Sequence, residues 1–288
     1  MRVTDGMLRA NALRGLTTST MRLARSQEQV ATTKRLNRPS DDPAQVREAV
    51  KLRDGIAELE QFMRNIETAG RTLSAAETAI ATAGDAIQRA RELAIQGAND
   101  TLSAVDRQQM AQEVGQLAGQ LVQLASTKVG DSYIFSGFRT DVPPYASPTG
   151  AYQGDAGVVM ARISPGTAVP VNVFGDAVFG PALASLVQLQ AELAAGTRVT
   201  PSTIAALDAG QDALLAGRAT VGARQNRLEE TTAYLEQGMI AARKLLSELE
   251  DVDMTQAISQ LSEQQLTYQA ALKVNATILQ RTLMDELR

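Results

Sequence analysis

The sequence predicts a mainly α fold: a long antiparallel helical bundle or coiled coil formed by the N- and C-terminal halves, with a small β-rich insert between them. Three observations carry this prediction. Leu52, Leu59, Ile66, Leu73, Ile80, Ile87 and Ala94 recur every seven residues. Leu207, Leu214, Val221, Leu228, Leu235, Ala242 and Leu249 repeat the pattern in the second half. Between the two seams the composition changes at Gly130: seven of the ten aromatic residues lie from Tyr133 to Phe179, and six of the nine prolines from Pro143 to Pro181. Neither seam can bury its apolar face alone, so each needs the other and the chain must double back.

Taken in order, residues 7–36 read as a first amphipathic helix. Leu16, Leu23 and Val30 repeat by sevens, with Met7, Leu8 and Leu13 beside them. The companion positions Thr20, Gln27 and Lys34 are polar, so this helix is weak in isolation. Asn37-Arg38-Pro39-Ser40-Asp41-Asp42-Pro43 then forms a joint. Pro39 holds Arg38 extended and stops the first helix. Ser40, Asp41 and Asp42 are capping residues, and Pro43 suits a first helical position. A strong helix from about Ala44 to Gly97 follows, weakened locally by Gly55, Gly70 and Gly84. Gly97-Ala98-Asn99-Asp100 closes it. Ser103 and Asp106 then cap a helix expected to run to about Lys128, with Met110, Val114, Leu117, Leu121 and Leu124 as its seam. Residues 158–163 and 168–173, joined by Ser-Pro-Gly-Thr, read as a β-hairpin with Pro170 on an edge. Helix resumes from Leu183 and breaks at Gly196–Ser202, where Ser202 is the expected cap. The second seam then runs to a break at Glu250-Asp251-Val252-Asp253, read as a solvated acidic joint. A last amphipathic helix from Met254 carries Ile258, Leu261, Tyr268, Leu272, Ile278, Leu279 and Leu283, diluted by Gln264, Gln265 and Asn275.

Composition excludes several functions. The 288 residues contain neither Cys nor His. Disulfides, thiolate or imidazole metal sites and Cys/His nucleophile–base chemistry are therefore ruled out. A net charge of −4 and a pI near 5.1, with basic residues spread along the chain, argue against nucleic acid or an anionic membrane as partner. No run of 18 apolar residues predicts a membrane span, and the N-terminus lacks the apolar block of a cleaved secretory signal. Asp41 and Asp42 have no third ligand nearby and read as caps rather than metal ligands. Gly150, Gly154 and Gly157 lack the lysine and following helix of a phosphate loop. No acid–base pair, nucleophile, cofactor or metal site emerges, and an enzyme is not expected.

The layout is nearly a palindrome: weak helix, joint, strong helix, insert, strong helix, joint, weak helix. Terminal helices too diluted to stand alone and too apolar to stay exposed point to assembly. The expected contact residues are Leu13, Leu16, Leu23, Val30, Ile258, Leu261, Tyr268, Leu272 and Leu279, with Pro39, Ser40, Asp41, Asp42 and Pro43 as the joint. Both terminal segments, 1–36 and 254–288, are expected to order fully only in an assembly.

Several stretches carry a family resemblance across almost the whole chain. They are Arg38-Pro-Ser-Asp-Asp-Pro43, Ala98-Asn-Asp-Thr101 with Asp106-Arg107, Tyr133-Ile-Phe-Ser-Gly137, Thr140-Asp-Val-Pro-Pro-Tyr145, Tyr152-Gln-Gly-Asp155, Gly222-Ala-Arg-Gln-Asn-Arg-Leu228, Glu250-Asp-Val-Asp253 and Gln265-Leu-Thr-Tyr-Gln-Ala-Ala-Leu272. In this order and spacing the chain resembles the flagellin superfamily of bacterial flagella, and within it the hook-associated proteins of the hook–filament junction. The resemblance implies terminal arms (1–36 and 254–288) that form the assembly core, a helical rod domain (37–132 and 183–253) and a β-rich outer domain (133–182). It implies a structural adaptor in the extracellular flagellum, exported unfolded by the flagellar type III apparatus. The implied partners are further copies in a ring, the first hook-associated protein, flagellin and an export chaperone that holds the C-terminal helix. The nearer alternative is a short flagellin, the filament subunit. The two prolines around Ser-Asp-Asp, the Thr-Asp-Val-Pro-Pro run and Tyr268-Gln-Ala-Ala-Leu272 favour the junction. A coiled-coil receptor would need a membrane span, and an enzyme a convergent polar site.

Overall fold

A computed structural model describes the backbone of residues 5–286 and the side chains of Met7 and residues 10–277. Among the described residues there are six helices and four short strands. These are α1 (Asp5–Thr32), α2 (Pro43–Gly97), α3 (Ala104–Ala125), β1 (Lys128–Val129), β2 (Ser132–Tyr133), β3 (Met160–Ser164), β4 (Thr167–Pro170), α4 (Gly175–Ala194), α5 (Pro201–Glu250) and α6 (Met254–Glu286). The chain forms two compact units, residues 58–237 and residues 1–57 with 238–288.

The 58–237 unit is organised by the paired seams. Ile66, Leu73, Ile80, Ile87 and Ala94 of α2 are buried with Leu207, Leu214, Val221, Leu228 and Leu235 of α5 in one core. The helices run antiparallel: Arg91 binds Asp208 at 2.6 Å and Arg218 binds Glu77 at 2.8 Å. Between the large residues of α2 lies a second stripe, Phe62, Ala69, Ala76, Ala83 and Ala90, also buried. The alanines at four of these positions let neighbouring helices approach closely. α2 stays helical through Gly70 and Gly84.

α3 starts on a capping box. The Ser103 hydroxyl accepts from the Asp106 N–H at 3.1 Å, and the Asp106 carboxylate accepts from the Ser103 N–H at 3.2 Å. Its buried face is Ala111, Val114, Ala118, Leu121 and Ala125, while Met110, Leu117 and Leu124 are half-buried at its flank. The helix ends at Ala125, before the expected Lys128, because Lys128–Val129 turns through Gly130 (φ +61°) into a hairpin with Ser132–Tyr133. The Lys128 ammonium sits 4.3 Å from the Tyr133 ring centre.

The predicted insert hairpin forms between β3 and β4, with Gly166 (φ +75°) in its turn. Beyond Pro170 the Asn172 side chain continues the pairing: its oxygen accepts from the Val159 N–H at 2.8 Å and its amide donates to the Gly157 carbonyl at 2.7 Å.

α4 begins at Gly175, eight residues before the expected Leu183 and through Pro181. The burial of Val178, Phe179, Ala182, Leu183 and Leu186 against the bundle offsets that helix-breaking proline. α4 is also the one described helix long and apolar enough to cross a membrane by length and composition. In this fold its apolar side packs into the core. α5 meets α4 through glycine: a Cβ on Gly210 would lie 2.8 Å from the Ala182 Cα, and one on Gly217 would lie 2.8 Å from Val178 Cγ2.

α5 begins at Pro201, so the capping position is Thr200 rather than Ser202. The Glu192 carboxylate accepts from the Thr200 N–H (3.0 Å), the Thr200 hydroxyl (3.0 Å) and the Thr203 hydroxyl (2.6 Å). Burial pushes the Glu192 carboxyl up, but these bonds together hold it below its ordinary range. Arg107, 9% exposed, donates to the carbonyls of Gly97 (3.3 Å), Asn99 (2.9 Å) and Gly196 (3.3 Å), tying together the ends of α2 and α4.

Candidate assembly site: paired terminal helices and their joint

All groups in this section belong to the unit of residues 1–57 and 238–288. α1 and α6 pack against each other. A groove of about 690 Å³ is lined by residues from Asn11 to Arg22 on one side and Gln264 to Asn275 on the other. On α1 the more buried positions are Ala12, Leu16, Ser19, Leu23, Ser26 and Val30, a 3–4 spacing that places them on one face. On α6 they are Ala257, Leu261, Gln264, Tyr268, Ala271 and Asn275. The α1 face alternates small residues with large ones, and the α6 face alternates small or polar residues with large ones as far as Ala271, where polar Asn275 follows. Among the described residues, Ser19 Oγ and Gln264 Oε1 are buried without a protein hydrogen-bond partner. Polar groups thus dilute the apolar contact on both faces.

The expected contact residues divide into two sets. Leu16, Leu23, Val30, Leu261 and Tyr268 are half-buried on the faces just described. Leu13 (60% exposed), Ile258 (52%) and Leu272 (42%) point elsewhere, with Met7, Met21, Met254, Leu266 and Val274 also exposed. The Leu279 side chain lies outside the described residues, as do those of Ile278 and Leu283. Apolar surface therefore remains open on both helices after they have paired.

The joint is built from backbone as well as side chains. α1 ends at Thr32, four residues before the expected Leu36, because Thr33 takes a left-handed conformation (φ +57°) and Lys34 forms an antiparallel bridge with Asp251. The Val252 N–H donates to the Thr33 carbonyl at 3.0 Å, and the Arg35 N–H to the Glu250 carbonyl at 2.6 Å. The predicted break at 250–253 is thus hydrogen-bonded to Thr33–Arg35, which were expected to be the last turn of the first helix, and not to the predicted joint at 37–43.

Asp42 is the cap of α2: its carboxylate accepts from the Ala44 and Gln45 N–H groups, both at 3.0 Å, and Pro43 opens the helix. Asp41 instead closes the connector. It accepts from the N–H groups of Arg38 (2.9 Å) and Asn37 (3.2 Å) and pairs with Arg25 of α1. The Arg38 N–H leads the interactions that hold its carboxyl below the ordinary range. A second pair, Arg38–Glu28 at 2.9 Å, also folds the connector onto α1. Pro39 and Ser40 are exposed.

The acidic break at 250–253 is solvated at Asp251 and Asp253 as expected, but not at Glu250. Glu250 is 2% exposed, with Lys34 Nζ at 2.8 Å and Arg53 Nη2 at 2.6 Å. Burial pushes its carboxyl up, but the bonds from Lys34 and Arg53 hold it below the ordinary value of 4.5. Asp253 caps α6 through the N–H groups of Thr255 (2.9 Å) and Gln256 (3.3 Å). Glu250 was missed because its cations are over 190 residues away in sequence and nothing local marks them.

Residues 3–140 match the bacterial flagellin N-terminal helical region, and residues 204–284 the bacterial flagellin C-terminal helical region. The chain is 29% identical over 302 residues to flagellar hook-associated protein 3 of Escherichia coli (strain K12), covering 95% of each. It is 26% identical over 281 residues to the flagellar filament 33 kDa core protein of Treponema phagedenis, covering 94% of this chain and 93% of that one. Among solved structures, hook-associated protein-3 of Legionella pneumophila superposes with a TM-score of 0.64 at 18% identity, over 69% of this chain and 98% of that one, which supports the fold. With both its helical regions matched in order at the two ends of one chain, the protein belongs to the bacterial flagellin family.

Proposed function

We propose that the chain is a structural component of the bacterial flagellum, an adaptor at the hook–filament junction that joins the first hook-associated protein to the flagellin filament. The observation that carries this is the match to hook-associated protein 3 along 95% of both chains, higher in identity than the match to a filament core protein of similar coverage. The geometry fits an adaptor: α1 and α6 pair through a seam diluted by polar groups and leave Leu13, Ile258 and Leu272 open to neighbours.

In this reading the arms 1–36 and 254–288 form the assembly core, 37–132 with 183–253 the rod, and 133–182 the outer domain. The arms order fully when neighbouring copies cover their open faces, a ring of subunits being the simplest arrangement. Flagellin and the first hook-associated protein contact the two ends of that ring. The chain reaches the junction through the flagellar type III apparatus, with a chaperone holding α6 beforehand. The role is structural rather than enzymatic. Deleting the gene tests the reading: cells are expected to complete hooks but carry no filaments, and filaments on the hooks of deleted cells would overturn it.

A further inference from the structure

The joint contains one dry acid held by wet bases. The Glu250 side chain is 3% exposed, whereas its partners Lys34 and Arg53 are 41% and 53% exposed. Lys34 lies in the connector and Arg53 on α2, while Glu250 ends α5. Arg35 adds a third tie, donating to the Leu249 carbonyl at 2.9 Å. The other charged neighbours are Arg38, which shares a small cleft with Glu250 and Arg53, and Asp251, whose carboxylate takes the Ser247 hydroxyl at 2.5 Å. The two cations remain partly hydrated in the closed joint and return readily to water when they leave. A buried carboxylate without them is badly placed, so its charge is what holds them.

We propose that the joint is an electrostatic latch: the ionised Glu250 side chain ties segment 33–36 to the start of α2 and the end of α5, and loss of that charge releases the segment while the α1–α6 pair and the seam of residues 66–94 persist. The backbone bonds Arg35 N–H to Glu250 and Val252 N–H to Thr33 report the latch, since they break when it opens. The latch is a property of the fold and stands apart from the junction reading.

Hydrogen exchange of the full-length chain tests it. At pH 7, Glu250→Gln is expected to speed exchange at Arg35 and Val252 by about tenfold, with residues 12–30, 257–271 and 66–94 within about twofold of the parent. A triple variant, Glu250→Leu with Lys34→Met and Arg53→Met, replaces the ionic cluster by apolar contact. It is expected to restore protection at both amides and to keep it as pH falls through the lowered Glu250 range, where the parent, corrected for intrinsic rates, loses it. The proposal is overturned if Glu250→Gln leaves both amides as protected as in the parent. It is equally overturned if α1, α6 or residues 66–94 lose protection with them, or if the triple variant stays open or opens in acid as the parent does.

Discussion

Gly210→Ala should destabilise the 58–237 unit although alanine is the better helix former. At an unhindered helical site the change favours folding by about 1 kcal/mol. Gly210 is not unhindered: the new Cβ would lie 2.8 Å from the Cα and 3.2 Å from the N of Ala182 on α4. Carbon atoms settle about 3.5–4.0 Å apart, so α4 and α5 must separate by roughly 0.7 Å or distort. No side-chain rotation relieves a clash with backbone. Overpacking of this kind costs about 1–3 kcal/mol, and a backbone obstacle belongs in the upper half of that range. The net loss is then about 1–2 kcal/mol, or a fall in Tm of roughly 2–8 °C for a unit of this size. Gly70→Ala is the control. Its Cβ would meet nothing within 4 Å, so the propensity gain stands alone and Tm rises by roughly 1–4 °C. Gly217→Ala meets only the Val178 side chain and should fall between the two. Calorimetric melts of the three variants and the parent decide the matter. If Gly210→Ala melts at or above the parent, the close α4–α5 approach is wrong.

Three further outcomes are expected. Arg107→Met removes a buried donor to the Gly97, Asn99 and Gly196 carbonyls and should cost about 2–4 kcal/mol in urea unfolding; a loss under about 0.5 kcal/mol would show that these bonds are dispensable. Leu272→Asp, on an exposed position, should abolish filament attachment while leaving the parent's thermal unfolding unchanged, whereas Leu23→Asp should also loosen the α1–α6 pair; normal filaments in both would discard these faces as contacts. The Glu192 carboxyl titrates below its ordinary value of 4.5 in the folded state, so its contribution is present above that pH and is lost as pH falls through the lowered value. Glu192→Gln should therefore lose stability at pH 7 and show a flatter acid limb in urea midpoints; an unaltered acid limb would remove Glu192 from the pH response.

The large-residue heptads were legible because leucine and isoleucine carry an unambiguous period, and Leu73, Ile80, Ile87, Leu207 and Leu214 are buried as that period requires. What fills the space between them was not. Ala69, Ala76, Ala83, Gly210 and Gly217 act by being small, and smallness gives no hydrophobic signal. The start of α4 was hidden because Gly175, Gly180 and Pro181 read locally as breakers, and only the burial of Val178 and Phe179 reverses that reading. The β1–β2 hairpin is two residues per strand, too short for alternation to show. At the candidate site, the cap and start of α2 could be read from Asp42 and Pro43, whose effects are local, but the stop of α1 at Thr32 could not be read from Pro39. The pairing of the two joints could not, because Thr33, Lys34 and Arg53 meet residues 249–252 only in the folded chain. The stripe expected on α6 was one face in sequence but divides in space: Leu261 and Tyr268 are half-buried, Ile258 and Leu272 exposed.

The most direct test of the junction role is where the chain resides in an intact flagellum. A labelled, functional copy imaged by immunogold on whole cells should appear once per flagellum, at the point where filament meets hook. Label distributed along the filament would make the chain a filament subunit and contradict the junction role.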